Sequence, residues 1–215
     1  MRPQTPYNPP PPDALKTLFV DDQIIVADKP SGLLSVPGRG PEKAICAVGL
    51  LGDRHGLALT VHRLDMDTSG VMVFARNKDA QRHISQQFEK RTTQKVYEAL
   101  VYGSLSGATG TIDAAIARFS HQRPLRHLDP DGRQAITHWR VMSKLPNRTR
   151  LELKPETGRS HQLRLHLSSI GHPILGDIFY GKPDDGHRLH LHAKSLSFQH
   201  PESHDSVTFR APTPF

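Results

Sequence analysis

The stretch VHRLDMDTSGVMVFARN, residues 61–77, places a polar turn directly before an apolar run. Residues 67–70 have turn composition, because aspartate and serine bond to nearby backbone and glycine tolerates positive φ. Residues 71–75 are uniformly apolar and predict a buried strand. Asn77 then has a side chain of the type preferred at a helix N-cap. The stretch therefore predicts a turn, a strand and a helix start in immediate succession.

The regions on either side of this stretch extend the same pattern. Apolar residues at four-residue spacing (Ala80, Ile84 and Phe88) predict a helix over residues 78–90. Residues 95–102 alternate and predict a strand with Tyr97 and Glu98 on opposite faces. Further strands are predicted at residues 24–27, 136–142, 149–154, 188–198 and 206–210, a helix at 43–52, and mainly loop at 103–135.

A third helix is predicted near residue 163 in TGRSHQLRLHLSSIGHPILGD, residues 157–177. Leu163, Leu167 and Ile170 are spaced as one apolar face, and the following glycine suits the position after a helix end. His161 and Arg164 are three residues apart and share the opposite flank.

Strands outnumber helices and follow one another as hairpins do, so the predicted fold class is α+β with a mixed, mostly antiparallel sheet flanked by helices and loops. Residues 1–14 are proline-rich and predict an extended tail over the surface. Residues 15–215 are long enough for one domain with a substantial core.

The charge balance favours a polyanionic partner. The chain has 28 Lys+Arg against 21 Asp+Glu, a formal net charge of +7, and nucleic acid is the partner class that such a surplus suits. Cys46 is the single cysteine, which excludes an intrachain disulfide and a cysteine-based zinc site. No signal peptide or membrane span is predicted, so we expect a cytoplasmic protein without membrane contact.

Asp65 is the most informative single residue. It precedes the turn, lies two residues from Arg63 and follows an apolar anchor, Leu64. A carboxylate kept ionised beside a guanidinium can act as a nucleophile or electrostatic stabiliser. From the residues alone three hypotheses stay open: this catalytic role, a metal-dependent nuclease that uses Asp65 with Asp67, and a non-catalytic RNA-binding module in which Asp65 only shapes the turn.

Four motifs occur in a fixed order: HRLDMDTSG at residues 62–70, KVYEALVYG at 95–103, TGRSHQLRLHL with GHPILGD at 157–177, and LHA at 191–193. This series closely resembles the RluA family of pseudouridine synthases. The opening DDQIIVADKPSGLLSVPGR, residues 21–39, is most similar to the short, dual-specificity member, which acts on a tRNA anticodon stem-loop and a large-subunit ribosomal RNA stem-loop. The resemblance implies the family's catalytic fold with a central RNA-binding cleft and no accessory N-terminal RNA-binding domain.

The resemblance also implies roles for individual residues. Asp65 would be the essential carboxylate, Arg164 its partner, and Tyr97 the ring that stacks on a flipped uracil. Arg63 would fill the space that the base leaves. The other residues expected to contact substrate are His62, Arg159, His161, Leu163 and Leu165, and surface arginines proposed for phosphate contacts are Arg39, Arg76, Arg118, Arg126 and Arg159. No cofactor, metal or protein partner is expected, and we expect a monomer.

Overall fold

The computed structural model describes residues 6–119, 124–182 and 188–215, so residues 1–5 of the predicted tail lie outside the described part. Within it the predicted α+β class with mostly antiparallel strand pairing is confirmed. The chain forms two compact units. Unit 1 comprises Met1–Thr93 with Ser197–Ala211, and unit 2 comprises Gln94–Leu196 with Pro212–Phe215.

Unit 1 is built on three neighbouring antiparallel strands in the order β1, β2, β4, with β3 pairing at the end of β4. Its elements are β1 (Lys16–Val20), β2 (Ile24–Lys29), α1 (Ala47–His55), β3 (Leu59–Thr60), β4 (Ser69–Ala75), α2 (Lys78–Glu89), the end of β11 (Leu191–Gln199) and β12 (Ser206–Arg210). Every residue of β4 is buried, as its continuous apolar run predicts.

The end of β4 leads directly into α2, which starts where Asn77 predicts. The Asn77 side chain accepts a hydrogen bond from the backbone N–H of Ala80 at 2.8 Å. Ala80 and Ile84 are buried as predicted, but Phe88 is only half-buried. Phe88 instead stacks on the His62 ring, with centroids 4.5 Å apart, and Gln87 occupies the third buried position.

Unit 2 contains the antiparallel strand order β5, β10, β9, β6 and a separate two-stranded hairpin, β7–β8. Its elements are β5 (Gln94–Tyr102), β6 (Thr109–Asp113), β7 (Ile116–Arg118), β8 (Arg126–Leu128), β9 (Ile136–Leu145), β10 (Arg148–Pro155), α3 (Gln162–Ser169) and the first part of β11. The predicted turn between β9 and β10 is confirmed, with Asn147 at φ 55°.

The core of unit 2 lies between this sheet and α3. Leu163 and Leu167 on α3 join Ala99 on β5 and Leu151 on β10 in one buried cluster. Full burial of a leucine contributes about 1.5–3 kcal/mol, so the two helix leucines hold α3 firmly against the sheet. Two of the three residues of the predicted apolar face of α3, Leu163 and Leu167, are therefore confirmed as buried.

Three further sequence predictions need correction. The helix predicted at residues 43–52 is Ala47–His55, because Pro41–Lys43 form a separate 3-10 turn. The described part of residues 103–135 contains three strands, β6, β7 and β8. They are not predicted because short strands such as β6, which pairs with the distant β9, show no local periodicity. Ile170 is 40% exposed because α3 ends at Ser169 and the chain turns away at Gly171. No helix in the described residues is long and apolar enough to cross a membrane.

Candidate active site

The Asp65 turn in unit 1 is held by backbone and side-chain bonds on both sides of the carboxylate. The N–H of Thr68 donates to the carbonyl oxygen of Asp65 at 3.1 Å, and that of Gly32 donates to Met66 at 3.0 Å. The buried Ser35 hydroxyl donates to the Leu64 carbonyl at 2.7 Å, and Ser35 Oγ accepts from the Leu64 N–H at 3.2 Å. Asp65 therefore projects from a backbone that is fixed immediately before and after it.

Lys29 lies beneath this turn and is fully buried. Its ammonium donates to the carbonyl oxygens of Leu33, Met66 and Pro30 at 2.7, 2.8 and 3.0 Å. Burial lowers the pKa of Lys29 to about 7, although the charges of Asp67 and Asp65, and that of Asp28, act to raise it. The lysine thus places a titratable cation behind the two aspartates of the turn.

The His62 ring is held in place by a backbone hydrogen bond and by stacking on a neighbouring ring. Its Nε2 accepts a hydrogen bond from the backbone N–H of Val73 at 3.1 Å, and the ring stacks on Phe88. Because an amide can only donate, Nε2 carries no proton and the ring is the tautomer protonated at Nδ1. Arg63, the next residue, is exposed, and Asp65 is half-buried. His62 and the buried Leu64 are therefore held in place, whereas Arg63 and Asp65 are accessible to solvent at least in part.

The start of α3 in unit 2 is organised by the buried amide of Gln162. Its Oε1 accepts from the Thr157 hydroxyl at 2.7 Å and from the Arg159 N–H at 3.0 Å. Its Nε2 donates to the Ile136 carbonyl at 2.9 Å and to Thr137 Oγ1 at 3.1 Å. The segment before the helix is thereby tied to β9.

Arg164 is 2% exposed, although an arginine opposite the apolar face of a helix suggests a surface position. Residues 174–181 cover that flank. Nε and Nη2 of Arg164 donate to the two carboxylate oxygens of Asp177 at 2.8 and 2.7 Å. Burial raises the pKa of Asp177, but the Arg164 hydrogen bonds and charge, with the N–H groups of Phe179 and Tyr180, outweigh it and leave the pKa below its usual value.

The guanidinium of Arg164 also lies against aromatic rings. Its central carbon is 4.9 Å from the centroid of Phe179 and 5.7 Å from that of Tyr180. A bidentate carboxylate and two ring contacts fix the plane of the guanidinium. The cation is consequently pre-organised without being exposed to solvent.

Tyr97, Leu163 and Leu165 lie on the elements that the sequence predicts. Tyr97 is on β5, half-buried, and packs on the core cluster to which Leu163 belongs. Leu163 is 7% exposed, whereas Leu165 is half-buried. The structure thus brings Tyr97 and α3 together, with Leu165 the more accessible of the two leucines.

His161 and Arg159 lie just before α3 and face different surroundings. His161 adopts the left-handed conformation, φ 58°, and its Nδ1 is 2.9 Å from the hydroxyl of Tyr180. Arg159 Nε donates to the carbonyl oxygen of Gln134 at 3.0 Å. His62, Arg63 and Asp65 thus lie in one segment of unit 1. In unit 2, Tyr97 lies on β5, Leu163, Arg164 and Leu165 lie on α3, and Arg159 and His161 lie just before α3.

Sequence reasoning missed Lys29, Gln162, Asp177 and Tyr180. Lys29 carried one usable signal, because it follows the apolar run at residues 24–27 and comes directly before a Pro-Ser-Gly turn. The aspartate and tyrosine of residues 177–180 gave no signal by spacing, since their partners are thirteen or more residues away. Among residues 6–119, 124–182 and 188–215, no three His, Cys, Asp or Glu side chains are grouped in a way that could hold a metal ion.

Known proteins match the chain over most of its length. The sequence pattern of the family described as RNA pseudouridylate synthase matches residues 23–169. The chain is 42% identical over 214 residues to the dual-specificity RNA pseudouridine synthase RluA of Haemophilus influenzae, covering 97% of this chain and 98% of that protein. The protein of the same name from Escherichia coli K12 is 44% identical over the same shares.

Solved structures give the same result for the fold. Human RNA Pseudouridylate Synthase Domain Containing 1 superposes with a TM-score of 0.78 at 27% identity, covering 100% of this chain and 87% of that one. Human RNA Pseudouridylate Synthase Domain Containing 4 superposes with a TM-score of 0.75 at 26% identity, covering 94% and 91%. The chain therefore belongs to the RluA family of RNA pseudouridine synthases, and it is an isomerase that acts on RNA.

Proposed function

We propose that the chain converts specific uridines to pseudouridine in stem-loops of two RNA classes, the anticodon region of tRNA and large-subunit ribosomal RNA. The observation that carries this proposal is the match to relatives named dual-specificity RNA pseudouridine synthase over 97% of the chain. The formal charge of +7 suits a partner that is a folded polyanion. Bases in RNA loops are accessible to a protein in a way that paired bases are not.

The reaction breaks the bond between N1 of uracil and C1′ of ribose and forms a bond between C5 and C1′. The proton on C5 is lost, and N1 ends with a proton, so the product is an isomer of the substrate. We assign the essential carboxylate to Asp65. Its support is the fixed turn, in which Ser35 and Lys29 hold the backbone on either side of the carboxylate.

Arg164 is assigned, from the resemblance of its motif, as the cation that acts together with Asp65 in the reaction. Asp177 binds the edge of the guanidinium formed by Nε and Nη2. Because Asp177 and the rings of Phe179 and Tyr180 fix the plane of the group, no reorganisation would be needed during the reaction. Asp177 is thus a positioning residue in this scheme.

The target uracil has to leave its stack, at a cost of about a few kcal/mol. Tyr97 is assigned as the ring that receives it, since stacking of one base on an aromatic ring contributes roughly 1–3 kcal/mol. Leu165 is the better placed of the two leucines to pack beside the base, because Leu163 is in the core. The exposed Arg63 is assigned to the space that the base vacates.

His62 and His161 support the site in this scheme through their packing and hydrogen bonds. Arg159 and the exposed or half-buried arginines of the surface bind phosphates and so offset the cost of flipping. Replacing any one phosphate-binding arginine by alanine should make the plot of log K for RNA binding against log salt concentration less steep, by about 0.7–0.9 in slope.

The test uses two transcripts, a tRNA anticodon stem-loop and a large-subunit ribosomal RNA stem-loop, each labelled with tritium at C5 of uridine. Tritium release from both, in the presence of EDTA, is the expected result. Release from one transcript alone would restrict the proposal to that class. Release from neither, with RNA binding intact, would contradict the proposal.

A further inference from the structure

The hydroxyl of Tyr180 joins two separate elements of unit 2. Its oxygen lies 2.9 Å from the backbone nitrogen of Arg126, on β8, and 2.9 Å from Nδ1 of His161, immediately before α3. Because the amide can only donate, the phenol oxygen accepts from Arg126 and the phenolic proton is available to His161. One hydroxyl thus connects the β7–β8 hairpin to the start of the helix that carries Arg164.

His161 requires such support. It is a non-glycine residue at φ 58°, a left-handed conformation that L-residues adopt at an energetic cost. The residue is 9% exposed. Its ring stacks on Phe179 with centroids 5.4 Å apart and meets Tyr180 edge-on at 5.6 Å. The conformation at this position is therefore imposed by the segment that contains Phe179 and Tyr180.

The same segment encloses Arg164. Asp177 Oδ1 accepts hydrogen bonds from the N–H groups of Phe179 and Tyr180 at 2.8 and 3.1 Å while it binds the guanidinium. The ring of Tyr180 faces that guanidinium at 5.7 Å. Tyr180 consequently touches the cation with its ring and the hairpin with its hydroxyl.

The β7–β8 hairpin forms a sheet of its own and carries Arg118 and Arg126 opposite one another. Basic residues on a hairpin outside the main sheet suit contact with RNA phosphates. Arg126 is half-buried, and its side chain donates to the carbonyl oxygens of Pro124 and Leu125. A displacement of β8 would act on Tyr180 through the backbone of Arg126.

From these contacts we infer that Tyr180 is a positioning residue, whose hydroxyl couples the β7–β8 hairpin to the placement of Arg164. This inference rests on the proposed role of Arg164. RNA bound to the hairpin fixes β8, and β8 fixes the Tyr180 hydroxyl through the backbone N–H of Arg126. That hydroxyl holds His161 and the start of α3 in the geometry that places the Arg164 guanidinium. The coupling acts on the chemical step and leaves RNA affinity unchanged.

The test is Tyr180→Phe, which keeps the ring and removes the hydroxyl. We expect kcat to fall about tenfold, the rate equivalent of one hydrogen bond of ordinary strength, while KM and the RNA Kd stay within about twofold. The matched control is Ser168→Ala, which removes the 2.8 Å bond from Ser168 Oγ to the Tyr180 carbonyl and leaves the phenol in place. This control should change kcat less than about twofold.

A second pair of variants tests the route through His161. Glycine adopts positive φ without strain and has no ring, so in a His161→Gly background the Tyr180 hydroxyl keeps its bond to Arg126 but no longer supports the residue before α3. Adding Tyr180→Phe to His161→Gly should then change kcat less than about twofold. If the double variant instead lowers kcat by the product of the two single-variant effects, the inference is overturned.

Three other outcomes would also overturn it: an unchanged kcat in Tyr180→Phe, a change confined to KM, or an equal loss in Ser168→Ala. The last would show that only anchoring of residues 177–181 matters. All variants are assayed beside the unmodified chain and Arg164→Lys. An unmodified chain that releases no tritium, or an Arg164→Lys variant with full activity, would count against the proposed function and not specifically against Tyr180.

Discussion

Nζ of Lys29 donates to the carbonyl oxygen of Met66 at 2.8 Å, in the middle of the turn between Asp65 and Asp67. The last residue of β2 is thereby joined to the turn that carries the proposed essential carboxylate. Two further carbonyl oxygens, of Leu33 and Pro30, complete the set that the ammonium satisfies. One buried cation thus stabilises both chain segments that form the base of the site.

Replacement of this cation should destabilise the fold and the site together. Lys29→Met leaves buried carbonyl groups without their donor, and we expect the free energy of unfolding to fall by about 2–4 kcal/mol. Urea unfolding measures this loss. Lys16→Met, at an exposed position on β1, is the control and should change stability by less than about 0.5 kcal/mol. Equal effects in the two variants would contradict the structural role of Lys29.

The pKa of Lys29 makes stability depend on pH in a defined direction. The pKa is about 7 in the folded chain and about 10.4 when unfolded, so between these values the unfolded state binds the extra proton. The free energy of unfolding should therefore rise with pH, by up to about 1.4 kcal/mol per pH unit from this group. Below pH 7 the full free-energy cost of burying the charged lysine is present. The difference in unfolding free energy between the unmodified chain and Lys29→Met, measured from pH 7.5 to 9.5, should increase. A flat difference would show that the lysine stays protonated throughout.

Asp177 should be required for the placement of Arg164. Asp177→Asn removes the carboxylate charge from the buried ion pair with Arg164, and breaking such a pair costs about 3–5 kcal/mol. Thermal and urea unfolding test the loss, and pseudouridine formation should fall at temperatures where the variant is still folded. Asp79→Asn breaks the exposed pair with Arg82 and should cost less than about 1 kcal/mol. A mild effect in Asp177→Asn would mean that Arg164 is held chiefly by the aromatic rings.

Two glycines provide a matched test of packing. A Cβ on Gly110 would lie 2.4 Å from Cζ2 of Trp139, which packs on the core of unit 2, whereas a Cβ on Gly52 in α1 meets no atom within 4 Å. Gly110→Ala should therefore destabilise the chain by about 1–3 kcal/mol. Gly52→Ala should be stabilising, by about 0.5–1 kcal/mol, because alanine favours the helix interior. Opposite signs in urea unfolding are the expected result, and a stable Gly110→Ala variant would contradict the close packing of Trp139.

Much of the architecture can be predicted from local pattern. The run at residues 71–75, the Asn77 cap and the leucine spacing in α3 each act within a few residues, so their elements are found where the sequence predicts them. The strand β6 depends instead on β9, which lies further along the chain, and β7 and β8 pair with each other but have only three residues each. Distant pairing and short length thus explain why no local periodicity marks these strands.

The residues of the candidate site likewise fall into those that sequence motifs indicate and those that depend on contacts between distant parts of the chain. Asp65, Tyr97 and Arg164 are found through motifs that occur in order along the chain. Lys29 and Asp177 escape that reasoning because their roles arise from contacts across 37 and 13 residues. Arg164 illustrates the consequence, since an arginine expected on an open helix flank is buried beneath residues 174–181.

The most direct test of the central claim is tritium release from C5 of uridine by Asp65→Asn. The substitution preserves the shape of the side chain and removes its charge, while the turn stays held by Lys29 and Ser35. We predict that the variant keeps its fold and its affinity for the RNA stem-loops and releases no tritium, whereas Asp67→Asn remains active. An Asp65→Asn variant that releases tritium at the rate of the unmodified chain would contradict the account.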